Sequence, residues 1–517
     1  MYAAGQKDMQ MIDQFTIEQL GLPGPVLMEN AGFRVAEEVM KHLSHKQSKV
    51  IVLAGSGNNG GDGFVVARRL YDSGINVQLC LMVNPDRIKG DARVHFDVYI
   101  NRELPFVDFS EKSPENLSLL LEGADVIVDA ILGTGVQGPV RKPIDEMIAT
   151  VNQYSEEKMI LAVDIPSGIG SDNGRAESTA VKATKTITFV FPKKGFFLNQ
   201  GPAYIGEWEA VDISVPVTNA EKLDLYLPSV ITKDLAKTSI PARIPQGHKG
   251  TFGHVLVIGG SRPYIGAPMF TAKTAIHTGS GLVTLAIPES LYPVAASQNP
   301  ESLMLPLPDK DGHLNDEALD VLSRKLDQFD SIAIGPGLSR FPNGKAWMSA
   351  FLRLLQDQHL IVDADGLYFL QDELDILPRL NGNVILTPHP GEMARLLGTT
   401  VKKVEENRIN VAWNFAHKYK VYLLLKGHRS VIATPDKDIF INPIGHDALS
   451  KGGSGDVLTG LIASFLAQKA APHKALIAAV YLHAKAGEHQ AGEWSRYGVT
   501  PTELTIGIKK ELRDLTE

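Results

Sequence analysis

The sequence predicts two α/β domains, each built on a largely parallel sheet. Short runs rich in Val and Ile, not strictly alternating, recur through both halves of the chain, as in strands buried on both faces. Glycine-rich turns follow several of these runs and lead into helical segments, which is the βαβ arrangement. Between the halves, 216–245 breaks the pattern. Pro216, Pro228, Pro241 and Pro245 recur there without a long apolar period, and the strand–glycine–helix order then restarts.

In the first half, 25–43 reads as one long helix opening with proline in its first turn. Strand runs follow at 50–54, 77–83, 126–132, 160–163 and 187–191, with helical segments such as 62–73 and 143–152 between them. In the second half the strand runs are 255–258, 282–287, 331–334, 360–362, 384–386 and 421–425, and 456–466 is an apolar helix. The expected division is a domain at 1–215, a linker with short local structure at 216–245, and a domain at 246–517. A chain of 517 residues is long enough for each part to bury its own core.

Composition narrows the function. A single cysteine, Cys80, excludes an intrachain disulfide and a CxxC zinc site, and its place in a strand run marks it as a small buried hydrophobe. A net charge of −8, with Lys and Arg spread along the chain, argues against a nucleic-acid partner. The first ten residues have no basic stretch followed by an apolar run, and no apolar stretch is long enough to span a bilayer. A cytoplasmic protein with no membrane partner is expected.

The sharpest feature of the first half is Ala54-Gly55-Ser56-Gly57-Asn58-Asn59-Gly60-Gly61-Asp62-Gly63. It follows a buried strand and opens a helix, where free backbone N–H groups and the positive end of the helix dipole suit a phosphate. A redox dinucleotide fingerprint also wants an acid about 20 residues on, at the end of the next strand. That strand ends Leu81-Met82-Val83-Asn84, with Asp86 only in the following loop. A redox site of the usual kind is therefore not expected. Two later strands end in Asp129-Ala130-Ile131-Leu132-Gly133-Thr134-Gly135 and Asp164-Ile165-Pro166-Ser167-Gly168. All three loops emerge at the same sheet edge. Asp164 is the acid/base candidate, as a partly desolvated carboxylate. Asn59 and Asp129 offer hard oxygen ligands, suited to a monovalent or hard divalent cation. For either aspartate alone, a helix cap or structural hydrogen bond is the competing reading.

These motifs, followed by Phe191-Pro192-Lys193-Lys194-Gly195, resemble the NAD(P)H-hydrate epimerase family in order and spacing. The resemblance implies a Rossmann-like three-layer sandwich. It implies that Asn58, Asn59, Gly60, Gly61 and Asp62, together with Gly133, Thr134, Gly135, Val136, Gln137, Gly138 and Pro139, bind substrate. It places Asp164 at the reacting carbon and potassium near Asn59, Asp129 and Ser167.

In the second half, Lys451-Gly452-Gly453-Ser454-Gly455-Asp456 leads into the apolar helix, with Asp456 expected as its first residue. Backbone N–H groups there can cradle a transferring phosphoryl group, and an adjacent aspartate can take the proton of an attacking hydroxyl. No GxxxxGK[ST] is present, so this is not a P-loop enzyme. GxGD before a late helix resembles the ribokinase-like superfamily. Gly259-Gly260-Ser261, Gly266-Ala267, Gly335-Pro336-Gly337-Leu338, Val362-Asp363-Ala364-Asp365-Gly366, Thr387-Pro388-His389-Pro390-Gly391-Glu392 and Lys426-Gly427-His428 narrow the resemblance to the NAD(P)H-hydrate dehydratases. It implies Asp456 as catalytic base and Ala267, Gly337 and His389 at the hydrated nicotinamide nucleotide. Lys426, Gly427, His428, Arg429, Ser430 and Gly455 would hold the adenine nucleotide, with Mg2+ on its phosphates. The fusion resembles the bacterial arrangement, which implies ADP as phosphoryl donor.

The implied activity is repair of hydrated NADH and NADPH by a homo-oligomer. Two rival readings stand beside it: a vitamin-precursor or sugar kinase with a regulatory Rossmann-like domain, and a nucleotide-binding module without catalysis.

Overall fold

A computed structural model describes the chain except residues 44, 46 and 137. Two compact units are present, Met1–Pro228 and Ser229–Glu517. No helix among the described residues is long and apolar enough to cross a membrane.

The first unit opens with helices α1 (Gln6–Glu18) and α2 (Gly24–Lys41). Its strands are β1 (Lys49–Ala54), β2 (Asn76–Leu81), β3 (Phe106–Asp108), β4 (Val126–Ala130), β5 (Met159–Val163), β6 (Lys185–Phe189) and β7 (Glu207–Val211). They pair in the order β3-β2-β1-β4-β5-β6-β7, every pair parallel. Helix α3 (Asn58–Asp72) connects β1 to β2. Successive side chains of a strand point to opposite faces, and β1 shows the consequence. Val50, Val52 and Ala54 join a core with Leu27, Val35, Phe64 and Leu70 of α2 and α3. Ile51 and Leu53 join a second core with Leu117, Leu121, Met147 and Val151. The unit is therefore a helix–sheet–helix sandwich. Cys80 lies in the second core, and burial pushes its thiol up to about 12.

The second unit carries β8 (Ser229–Val230), β9 (His254–Ile258), β10 (Leu282–Pro288), β11 (Leu303–Leu307), the small pair β12 (Asp309–Lys310) and β13 (His313–Leu314), β14 (Ser331–Ile334), β15 (His359–Val362), β16 (Val384–Leu386), β17 (Tyr422–Leu425), β18 (Val431–Ala433) and β19 (Ile439–Ile441). The main sheet runs β11-β10-β9-β14-β15-β16-β17-β18-β19-β8. It is parallel as far as β17 and antiparallel through β18 and β19. The apolar helix, Ser454–Ala467, lies in one core with Val255, Val257, Ala272 and Ala275.

Three local features differ from the sequence expectation. The segment expected as a linker is divided between the units: Ser229–Val230 pairs with β19 as the last strand of the second sheet, and Lys233–Ser239 is helical. Too short for a periodic signal, this strand is specified by its partner. Helix α3 starts at Asn58, not at 62, because Gly57 serves as N-cap and the glycines enter the first turn. The late helix likewise starts at Ser454, making Asp456 its third residue.

Candidate functional site

In the first unit a cavity of about 1110 Å³ lies at the strands' C-terminal edge, where the order reverses between β1 and β4. Glycine makes this junction possible. A Cβ on Gly55 would stand 2.0 Å from the Ile131 carbonyl oxygen, and one on Gly60 would stand 2.0 Å from the Gly55 carbonyl oxygen. The loop after β1, the first turn of α3 and the loop after β4 thus close on one another.

Ser56, Gly57, Asn58, Asn59 and Asp62 line the cavity, as do Gly133, Thr134, Gly135, Val136 and Pro139. Gly60 and Gly61 do not: they are buried, and a Cβ on Gly61 would strike the Met28 sulfur at 2.4 Å. A side chain at either position would disrupt the helix start. Gly138 is exposed and outside the lining, and Gln137 lies outside the described residues.

Asp164 also faces the cavity, at the end of β5, with φ 60°. Aspartate tolerates this left-handed conformation better than most residues. It is not an isolated desolvated carboxylate. Its Oδ1 accepts from Lys193 Nζ at 2.6 Å, Thr188 Oγ1 at 3.1 Å and the Phe189 amide at 3.1 Å. Lys193 is 1% exposed, and its ammonium also donates to Thr188 Oγ1 and to the Phe189 and Phe191 carbonyls. Asp62 is 7% exposed, and its carboxyl accepts no hydrogen bond among the described residues. Burial, then the Asp164 and Asp13 carboxyls, push it well above the usual range. Asp13 of α1 lines the same cavity, and burial pushes it up to about 6 against the Lys193 ammonium.

Asn59, Asp129 and Ser167 meet around Leu132. Asn59 Nδ2 donates to the Leu132 carbonyl at 3.1 Å, and the Leu132 amide donates to Ser167 Oγ at 2.8 Å. Asp129 is fully buried, and its oxygens accept from the Ser167 amide at 2.8 Å and the Ser167 hydroxyl at 2.5 Å. Burial pushes its carboxyl up to about 6, and no lysine or arginine pairs with it among the described residues. A buried, cation-free carboxylate among amide, hydroxyl and carbonyl oxygens fits a hard monovalent cation. No cluster of three or more His, Cys, Asp or Glu side chains among the described residues could hold a metal.

In the second unit, Asp456, Lys426, Asp363, Glu392 and Gly455 converge where the late helix begins. Asp363 is 1% exposed, with Lys426 Nζ 2.6 Å from Oδ1 and Thr459 Oγ1 2.7 Å from Oδ2. Burial opposes its charge, but the Lys426 ammonium and these hydrogen bonds hold its carboxyl below the usual range. Among the described residues, none donates a hydrogen bond to the Asp456 carboxyl. Burial, then the Asp363 charge, push its carboxyl up to about 7, with Lys426 opposing. Its main-chain carbonyl is tied to Thr271 Oγ1 at 3.0 Å, which fixes the turn that carries it. His483 braces the helix start from beneath. It is buried, which pushes it down to about 4, and its Nε2 lies 2.9 Å from the Ser454 carbonyl.

A Cβ on Gly455 would lie 3.5 Å from Lys426 Nζ and 4.0 Å from Asp363 Oδ2. The free amide end of the helix and the Lys426 ammonium thus face one small space suited to an anion. Gly455→Ala should fill that space at little cost in stability, since no backbone clash follows. A roughly tenfold or greater loss of affinity for a phosphate-bearing ligand held there is expected by calorimetric titration, with the melting temperature nearly unchanged.

Gly337 and Ala267 are adjacent, a Cβ on Gly337 falling 3.2 Å from that of Ala267. His389 caps the helix Pro390–Leu396: Nδ1 accepts from the Gly391 and Glu392 amides at 2.9 and 3.3 Å, leaving Nε2 beside Glu392. Burial pushes Glu392 up to about 7. The 426–430 loop is braced from below by buried Arg408, whose guanidinium donates to the Leu425, Lys426 and Arg429 carbonyls. A Cβ on Gly427 would strike Arg408 at 2.6 Å, so this glycine sits on the brace. The Ser430 hydroxyl is 3.5 Å from the Gly427 carbonyl, and burial lowers both His428 and Arg429.

Sequence patterns assign no role to several residues that these sites contain. Lys193, Asp363 and Glu392 stand inside the motifs that carry the resemblance, which is the signal that could have found them. Asp13 and Arg408 lie in ordinary amphipathic helices, where nothing in one sequence separates them from solvated charges.

The family model described as YjeF-related protein N-terminus matches residues 24–195, and that described as NAD(P)H-hydrate dehydratase matches 255–510. A bifunctional NAD(P)H-hydrate repair enzyme Nnr of Moorella thermoacetica is 37% identical, over 100% of this chain and 98% of that protein. One of Thermofilum pendens is 33% identical, over 100% and 97%. Among solved structures, the second unit is similar to an ADP/ATP-dependent NAD(P)H-hydrate dehydratase from Bacillus subtilis, co-crystallised with ATP and Mg2+. That match has a TM-score of 0.50 and 30% identity, and covers 56% of this chain and 99% of that one.

Proposed function

This chain belongs to the family of bifunctional NAD(P)H-hydrate repair enzymes, and from that premise we propose that it restores NADH and NADPH hydrated at C6 of the nicotinamide ring. The first unit interconverts the R and S hydrates. The second dehydrates the S hydrate with ADP, releasing AMP and phosphate. Acting in the cytoplasm as a homo-oligomer is part of the same reading. The observation that carries it is Asp456, a carboxyl with no hydrogen-bond donor among the described residues, pushed up to about 7 by burial and set at a helix start beside Lys426 and Gly455.

Hydroxide leaves poorly from C6, so the hydroxyl must first become a better leaving group. Asp456 takes the hydroxyl proton as the oxygen attacks the terminal phosphorus of ADP, and AMP departs. The ring nitrogen's lone pair then expels phosphate, and loss of the C5 proton restores the dihydropyridine. Ala267, Gly337 and His389 hold the hydrated ring, and Lys426, Gly427, His428, Arg429, Ser430 and Gly455 hold ADP. Mg2+ would enter with the ADP phosphates and offset their charge.

In the first unit, the α3 start and the 133–139 loop hold the nucleotide, with Asp164 at the reacting carbon. Asn59, Asp129 and Ser167 would hold K+, whose charge would fix these loop oxygens. Epimerisation breaks and reforms either C6–O or the ring C–N bond, and both routes need groups that give and take a proton.

Incubation with both hydrate epimers, ADP and Mg2+ tests the proposal. Reduced-nicotinamide absorbance should return until both epimers are consumed, with AMP and phosphate formed in equal amounts. A stable phosphorylated product would instead identify a small-molecule kinase, and no turnover a binding module.

A further inference from the structure

We propose that Asp13 and Asp62 are the proton-exchanging pair of the first unit's cavity, with Asp164 as a fixed negative charge beside the reacting ring. This pairing deepens the epimerase function proposed for the unit and rests on it.

The three carboxyls come from separate elements, α1, α3 and the loop after β5, and line one cavity. Their surroundings divide their roles. Asp164 is pinned by three donors to its Oδ1, one of them a buried ammonium. Asp62 is more than nine-tenths buried, unpartnered among the described residues and open only to the cavity. No described residue gives this carboxyl a hydrogen bond, and a ligand carrying a proton acceptor would take one from it. Asp13 faces Lys193, Asp164 and Asp62, and these are the charged groups around it. Burial raises both carboxyls, Asp62 well above its usual range and Asp13 to about 6, with the Lys193 ammonium opposing the rise at Asp13. The bare Asp62 is thus the group suited to give a proton, and Asp13, close to an ammonium, the one suited to take it.

For one hydrate, Asp62 gives its proton to the C6 hydroxyl oxygen. The C6–O bond breaks with its electron pair staying on oxygen, the ring nitrogen's lone pair becomes the second bond of a C6=N double bond, and water leaves. The Asp164 carboxylate faces the cationic ring. Water then adds to the other face of C6, the π pair returns to nitrogen, and the water's surplus proton passes to Asp13. The other epimer runs the same steps backwards, starting from protonated Asp13 and ionised Asp62, and proton exchange with water resets the pair between turnovers. Atoms and charge balance, and no co-reactant beyond water is required.

The test uses the full-length chain without ADP, so that only interconversion of the epimers is read, by chromatography. For the unsubstituted protein the rate should rise with pH through about 6, where Asp13 ionises. Asp13→Asn should slow interconversion about 100-fold and abolish that rise, and Asp13→Glu should restore part of both. Dehydration of the S hydrate with ADP and the thermal melt should be unchanged in each variant. Interconversion by Asp13→Asn at the original rate with the original pH profile would overturn the proposal. So would equal loss in the Glu variant with a collapsed melt, which marks a structural role. Absence of interconversion in the unsubstituted protein would instead remove the epimerase reading itself.

Discussion

Asp456→Asn is expected to lower dehydration of both hydrate epimers by about 10²–10⁴-fold while leaving ADP binding and the fold intact. The substitution keeps the side chain's shape. The native carboxyl accepts no hydrogen bond from the described residues, so no protein partner is stranded by the change. Only proton acceptance is lost. The pH dependence follows with a definite sign. Burial and the Asp363 charge raise the Asp456 carboxyl to about 7, and a base works only when deprotonated. The rate for the unsubstituted chain should therefore fall as pH drops through about 7, and the residual rate of Asp456→Asn should lack that limb. Stopped-time assays of AMP release across pH, with calorimetric titration of ADP, check both statements. Activity within about tenfold of the original would show that another group takes the proton.

Lys193→Met should destabilise the first unit by about 3–5 kcal/mol and stop epimerisation, while dehydration of the S hydrate continues. The ammonium is 1% exposed and satisfies four acceptors: Asp164, Thr188, and the Phe189 and Phe191 carbonyls. Methionine fills the volume but leaves an uncompensated carboxylate and carbonyls without that donor. The second unit has its own core and should melt as before. Differential scanning calorimetry reads the two transitions. The double variant Lys193→Met with Asp164→Asn should recover a large part of the lost stability, because the stranded charge is gone, and none of the epimerisation. Equal melting of the single and double variants would show that the pair is not what holds this corner together.

The order of chemistry along the chain is legible from residues alone. Glycine loops after Val- and Ile-rich runs mark sheet edges, because only strands buried on both faces lose their alternation and only glycine lets a loop press against its neighbour. Asp129 and Asp164 lie at such an edge, and Asp456 follows a glycine loop into a helix, so a linear reading singles these three out. The short strand Ser229–Val230 escapes that reading, since two residues carry no period and a partner strand far along the chain specifies them. Gly60 and Gly61, which the resemblance implies at the substrate, are also positions where no side chain fits. A glycine codon says nothing about which atoms fill the space beside it.

Hydrophobic periodicity and turn chemistry are local properties, and they suffice to say which loops gather at the C-terminal edges of two parallel sheets. The charge state and partnership of each acid are not local. That Asp164 is clamped by Lys193 while Asp62 has no donor among the described residues, and that Asp363 rather than Asp456 takes Lys426, emerges only when the chain has folded. Burial and the separations between side chains set these outcomes, here between residues far apart in the chain, and no local pattern encodes either.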